Sequence, residues 1–373
     1  RDYVLNHWND MLHTGGVTTV LKWVKQLPEE MVQTDIYLAL ANCWARHLTG
    51  QTLDMAPYVN YANAELERHL KQDLLTDEER GSVEAQVYLM QSALARSQGQ
   101  FEHSVEYAEK AVNVVPPKIG FVVGPAWNLL GAARVSAGDI EGGIDAYKNG
   151  IEPAYTAKNY LSAFAAIFWG AVYQIKQGRL TQANSECQRA IERAATDGLS
   201  GFPAIGLLYI TQAMIALERN QLDQAKSLVA RGGGFSEALR YGRFIRAHLH
   251  LALGDLINAS ALMQEVERIV LSTGEPYAIA EMHCEWAKLH IQSGNTAGVK
   301  ASFRAVQQVD RSQFEHPLLR FSSDWLAAYI NWKEDQLQPA LEIIDCAIQR
   351  GRSSNSSGEI LRFLILRSLI LSA

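Results

Sequence analysis

Seven positions constrain this chain more than any others. At Gly99, Gly138, Gly178, Asn220, Gly254, Gly294 and Asp335 a helical stretch stops at a tight-turn residue and a second helical pattern starts at once. The spacings are 39, 40, 42, 34, 40 and 41 residues. After most stops the same signature follows: an apolar residue two positions on and a small one at five, as in Gly178-Arg179-Leu180 to Ala183 and Gly254-Asp255-Leu256 to Ala259. Gly and Asn tolerate the left-handed backbone that ends one helix and lets the next turn back. Self-similarity at this period predicts an array of helical hairpins, each burying its apolar face against its neighbours. The expected fold is therefore all-α: a right-handed superhelix, or α-solenoid, of about nine hairpins with a period near 40 residues.

Length alone would divide 373 residues into two or three domains. A solenoid escapes that rule because its core grows along one axis. The chain thus reads as one domain over residues 1–373, with an entry hairpin at 1–35, repeats at 36–350 and a closing helix at 357–373. Other breaks fall at Gly15-Gly16, Pro28, Gly50, Pro116-Pro117, Gly198 to Pro203, Gly232-Gly233-Gly234, Gly274 to Pro276 and His316-Pro317. Thr76-Asp77-Glu78-Glu79 reads as an N-cap with an acidic first turn. The Ser-rich stretch from Gly351 to Gly358 reads as a mobile loop.

With 48% hydrophobic and 20% charged residues, the composition is that of a folded globular chain. A net charge of −6 with no basic stripe argues against nucleic acid as a partner. No apolar run reaches membrane-spanning length, and no signal peptide is present, so no membrane partner is expected. Cys43, Cys187, Cys284 and Cys346 form no CxxC pair, which fits reduced thiols and a cytoplasmic location. The chain starts at Arg1 without Met and stops just after an apolar helix, which reads as a segment of a longer protein.

The turn residue can be set at position 15 of a tetratricopeptide register. Position 8 is then Ser92, Gly131, Ala171, Ala213, Ala247, Ala287 and Ala328; position 20 is Ser104, Gly143, Ala183, Ala225, Ala259, Val299 and Ala340. Small residues at both points are what closely packed helices need. Positions 4, 7 and 11 of the first helix break an otherwise apolar pattern and share one face. They carry Trp127, Arg134, Tyr209, Gln212, Arg243, Arg246, His250, His283, Trp286, His290 and Asp324. Stacked over successive repeats, this stripe is expected to line a concave groove suited to a small ligand or peptide.

The stripe is richest between residues 240 and 290. Arg240, Arg243 and Arg246 are spaced by three and His250 continues their face. Two readings stand. In one, the arginines fork onto an anionic ligand while Trp286 stacks on it. In the other, these side chains pair with carboxylates on neighbouring repeats. His283 and His290 are seven apart, which is not metal-ligand spacing, so no metal is expected. The chain has no Walker A pattern, GxSxG or HExxH, and nothing pairs a nucleophile with a base, so no catalytic residue and no enzyme are expected.

Gly15-Gly16 followed by Val20-Leu21-Lys22-Trp23-Val24-Lys25-Gln26-Leu27-Pro28-Glu29-Glu30 resembles the segment that opens the helical-repeat region of large LuxR-type regulators of the MalT family. The Gly-Asp-Leu-x-x-Ala turns that follow look like the same region, so the resemblance covers essentially the whole chain. It implies a signal-transduction ATPase with a nucleotide-binding module, this sensor and a helix-turn-helix. Inducer binding to the sensor would relieve autoinhibition and permit ATP-dependent self-assembly and transcription activation. ATP would belong to the nucleotide-binding module, and no cofactor is expected in this chain. The implied partners are a small-molecule inducer and other domains or protomers of the regulator. The family offers no ligand motif to carry over, so the stripe alone nominates a site. The competing reading is a tetratricopeptide scaffold that binds a peptide or partner domain.

Overall fold

The computed structural model describes residues 1–13, 16–73, 75–116, 120–234, 240–309, 317–354 and 356–372. Helix dominates, and no strand occurs among the described residues. The expected breaks at Gly15, Pro117 and His316 lie outside them. Contacts gather into two compact units. Residues 1–137, 141–166 and 273–275 form the first, and residues 138–140, 167–272 and 276–373 the second.

In the first unit, α1 (Asp2–His13) and α2 (Val17–Lys25) make the entry hairpin. A single turn, α3 (Glu29–Val32), leads to α4 (Ile36–Leu48), α5 (Ala56–Gln72), α6 (Asp77–Ser97), α7 (Phe101–Val114) and α8 (Gly120–Ser136). A 3-10 turn at Thr52–Met55 precedes α5. The helices α9 (Ile140–Thr156) and α10 (Tyr160–Lys176) straddle the division. Asp35 caps α4 by accepting from the amides of Tyr37 and Leu38. Thr76 and Glu79 form a reciprocal capping box on α6, as the sequence predicts.

The second unit continues with α11 (Leu180–Thr196), α12 (Gly206–Glu218), α13 (Leu222–Arg231), α14 (Arg240–Ala252) and α15 (Leu256–Thr273). It ends with α16 (Pro276–Gln292), α17 (Thr296–Gln308), α18 (Pro317–Lys333), α19 (Leu337–Ser353) and α20 (Ser357–Leu371). The Ser-rich stretch is not an extended loop. Helix α19 runs through Ser353, α20 starts at Ser357, and the Ser354 hydroxyl donates to the Arg350 carbonyl at 3.1 Å. The serine hydroxyl thereby reinforces the backbone bond that the Ser354 amide already makes to the same carbonyl.

All seven turn residues hold positive φ, from 56° at Asn220 to 96° at Gly138. The reversal they impose brings the two helices of a hairpin together at the small residues. Ser92, Ala171, Ala213, Ala247, Ala287 and Ala328 are at most 2% exposed. Their mates at position 20 are buried as completely. At the first crossing Ser92 and Ser104 exchange hydroxyl-to-carbonyl bonds of 2.8 and 2.9 Å. At the next, a Cβ on Gly131 would stand 2.8 Å from the Tyr147 ring, so a side chain there would force the helices apart.

Candidate functional site

The register assigns each polar side chain to one of two helix faces. Positions 4, 7 and 11 of a first helix form one, beside the small residue at 8; positions 2, 6 and 9 lie on the other side. The stripe predicted to line a groove occupies the first of these, and its contacts run to second helices. Within a hairpin, Arg243 meets Glu265 of α15 at 3.4 Å, and Asp324 pairs with Arg350 of α19. Arg231 of α13 donates to the Tyr209 hydroxyl at 2.8 Å and covers its ring at 4.1 Å. Trp127 stands over Gly150 of α9. Toward the preceding hairpin, Arg134 pairs with Glu109 at 2.9 Å and Gln212 donates to Gln188 at 3.0 Å.

His250 closes on Asp255 at its own turn, 3.0 Å away. Trp286 stacks on His290 at 5.6 Å, and its buried indole N–H makes no hydrogen bond. Burial lowers the affinity of His283 and His290 for a proton, opposed at His283 by Glu267. Burial raises the Asp324 carboxyl even against Arg350. Arg246 is half-buried, with no hydrogen-bond or ion-pair partner among the described residues. The stripe thus runs largely along the seam between helices: Arg243 and Asp324 pair within their own hairpins, and Arg134 with a carboxylate of the preceding one. A helix period fixes which residues share a face but not what that face meets.

The opposite face carries a denser constellation that the stripe misses, within the second unit. Tyr241, at position 2 of α14, stands edge-on to Trp169 at 5.1 Å and Phe168 at 5.9 Å. Its hydroxyl donates to Glu281 Oε1 at 2.7 Å, position 2 of the following first helix. The Arg240 guanidinium lies 2.9 Å from Glu281 Oε2 and 5.4 Å over the Tyr241 ring. Arg240 Nε and Glu281 Oε2 are buried without an aligned hydrogen bond. Burial, then the Glu281 charge, pushes the Tyr241 and Tyr277 hydroxyls well above the usual phenol range. Burial pulls Arg240 the other way, but Glu281 outweighs it and holds the guanidinium charged.

One turn along, Glu285 accepts from Lys288 at 2.7 Å and lies 2.6 Å from His248 Nε2. Burial alone would raise the Glu285 carboxyl; Lys288 and then His248 more than offset it and hold it below the usual range. The signal for these residues was present: Tyr241 and Glu281 sit 40 apart, one repeat period, with complementary chemistry.

Among the described residues no three His, Cys, Asp or Glu side chains gather as a metal site would require. No described helix is long and apolar enough to cross a membrane.

The model of a known family, described as the MalT-like TPR region, matches residues 85–373. The chain belongs to that family. Its sequence matches no curated protein. Among solved structures, this MalT-like TPR region is similar to the Rap conjugation gene regulator of plasmid pLS20 in complex with the Phr* peptide. That match has a TM-score of 0.54 and 12% identity, covering 99% of this chain and 95% of that one. A Rap protein complexed with Competence and Sporulation Factor gives a TM-score of 0.52 at 13% identity, covering 100% and 97%. The apo form of RapI gives 0.50 at 11%, covering 100% and 98%. At these identities the likeness is one of fold: a MalT-like TPR region is a scaffold of paired helices.

Proposed function

We propose that this chain is the effector-sensing region of a MalT-like LuxR-type transcription activator. The family match over residues 85–373 carries the reading. In such a regulator a small-molecule inducer binds the helical repeats, and its binding energy shifts the whole protein toward ATP-dependent assembly and transcription activation. The ATPase and the DNA-binding module belong to other parts of the regulator.

The face bearing Trp169, Arg240, Tyr241 and Glu281 is the better candidate for the effector site. It combines aromatic walls with Arg240 Nε and Glu281 Oε2, two buried polar atoms with unused hydrogen-bonding capacity. Of the seam residues, Arg246 and Trp286 remain candidates because each keeps a polar group without a hydrogen bond.

Thermal unfolding against a panel of sugars, organic acids, aromatics and nucleotides tests the proposal. A ligand at 100 times its dissociation constant stabilises by about 2.7 kcal/mol. Trp169→Ala and Glu281→Gln are expected to abolish that gain. If Arg246→Ala and Trp286→Ala abolish it instead, the site is the seam. A panel that shifts nothing counts against a small-molecule effector.

The second reading is a scaffold for a peptide or partner domain. It draws on the Rap regulator of similar fold that holds the Phr* peptide. Stoichiometric capture of one protein from the source lysate, surviving charge reversal at Arg243 and Arg246, would favour it.

A further inference from the structure

Stacking joins each hairpin to its neighbours, and the second unit makes one contact that this rule does not supply. Helix α20 begins against the turn that ends α10, although four hairpins, from α12 to α19, stand between them in the chain. A Cβ on Gly358 would run into the Lys176 carbonyl and stand 3.0 Å from the Gly178 amide nitrogen. Gly178 holds φ at 79°, and a Cβ on it would lie 3.6 Å from the Gly358 nitrogen. The two glycines let backbone meet backbone. The N-terminal end of α20 abuts the C-terminal end of α10, so opposite ends of two helix dipoles come together.

Side chains extend the contact. Arg362 reaches Glu218, the last residue of α12, at 3.3 Å and Glu359 of its own helix at 3.7 Å. Burial opposes the charge on Arg362, but Glu359, then Glu218 and Glu285, more than offset it. Lys176 and Glu218 both stand at position 13, on the side of the first helices that also bears positions 2, 6 and 9. Trp169 lies about two turns before Lys176 on α10, and Glu285 about one turn after Glu281 on α16. The start of α20 therefore sits at the edge of the face that carries Trp169, Tyr241 and Glu281.

We propose that α20 is a latch. Gly358 and Arg362 hold its first turns against the ends of α10 and α12, which closes the second unit on itself beside the Trp169, Tyr241 and Glu281 face. Release of the latch opens that face to solute. The Arg362–Glu218 pair is 42% and 46% exposed and contributes little alone, so the backbone contact at Gly358 decides whether the latch closes. The device consists of the closing contact only. It stands or falls without any effector, and a ligand panel that shifts nothing leaves it untouched.

The test uses the whole chain with no ligand added. Hydroxyl-radical footprinting read by mass spectrometry follows oxidation of Trp169 and Tyr241, with Trp44 and Trp127 of the first unit as references. In the double variant Gly358→Ala, Arg362→Glu, the added Cβ and the reversed charge break both contacts. Oxidation of Trp169 and Tyr241 is expected to rise about threefold or more, with the references at the parent rate. Should circular dichroism show that this chain loses helix, Arg362→Glu alone carries the same expectation, since it sets a further carboxylate beside Glu218, Glu285 and Glu359. A second measurement closes the latch covalently. Cys346 is exposed, and Cys43, Cys187 and Cys284 are buried. In a Cys346→Ser chain, Glu218→Cys and Arg362→Cys therefore offer a short bismaleimide two thiols to bridge. Intramolecular bridging is expected to be nearly complete and to keep Trp169 and Tyr241 at or below the parent rate. Unchanged oxidation in the open variant, an equal rise at all four residues in a folded chain, or failure to bridge overturns the proposal.

Discussion

At the residue scale, the small side chains at the hairpin crossings set the spacing of the fold. Ala247 and Ala287 are at most 2% exposed, so a larger side chain at either point has nowhere to go but into the facing helix. Ala247→Leu and Ala287→Leu are each expected to cost about 1–3 kcal/mol by overpacking, read as a lower midpoint in urea with an unchanged slope. Arg243→Ala is expected to cost under about 1 kcal/mol, because its partner Glu265 is 46% exposed and solvent screens the pair. Glu285 differs, being 14% exposed between His248 and Lys288. Its folded carboxyl binds protons more weakly than an unfolded glutamate. The stability it contributes is therefore fully present above the unfolded value of about 4.3 and is lost as pH falls from there toward the lower folded value. Glu285→Gln is expected to lose about 1–3 kcal/mol at neutral pH and to flatten the dependence of melting on pH below about 5. A variant as acid-sensitive as the parent would show that the ion cluster is stabilised in some other way.

At the element scale, helix ends were more legible in the sequence than helix surroundings. A left-handed turn favours Gly, Asn or Asp, so the seven bends could be read directly, and all seven hold positive φ; the turn at Lys158, also left-handed at 56°, carries no such signal. Thr76 and Glu79 announce a helix start through their spacing alone, and both capping bonds form. Thr76→Ala is expected to cost about 1 kcal/mol, seen as faster amide exchange in the first turn of α6. The site was less legible. Tyr209, Arg243 and Asp324 do share a face, as their spacing requires, but that face meets the neighbouring second helix. Which side of a helix turns to its mate depends on the crossing residues. Position 8 already held that information, since a stripe flanking a buried alanine must lie in the seam. Tyr241 and Glu281 escaped notice because each, taken singly, is an ordinary polar residue in an apolar helix. Only their juxtaposition across one repeat makes a hydrogen-bonded pair of 2.7 Å in an aromatic surround.

At the scale of the whole molecule, a chain built from hairpins stacked on their neighbours carries its stability locally. Each repeat has an intrinsic term and two interface terms, so damage to one repeat is felt by the next and fades beyond it. The cores fit this: one cluster joins Phe244, Ala247, Val266 and Met282 of α14 to α16, and a separate one joins Ala287, Val299, Leu326 and Ile330 of α16 to α18. Ala287→Leu strains the second cluster first. Amide exchange read by mass spectrometry is expected to speed up in α16 and α17, and less so in α15 and α18. Peptides from α4 and α6, in the first unit, are expected to exchange at the parent rate. Local opening energies span from near zero to the global value, so a change confined to one stretch marks a sub-global unit. Uniform acceleration along the whole chain would instead mean a single cooperative fold, in which an effector bound at Tyr241 and Glu281 would be felt equally everywhere. Confinement would mean that a ligand bound at Tyr241 and Glu281, if the proposed site is right, stiffens the hairpins around α14 and α16 most.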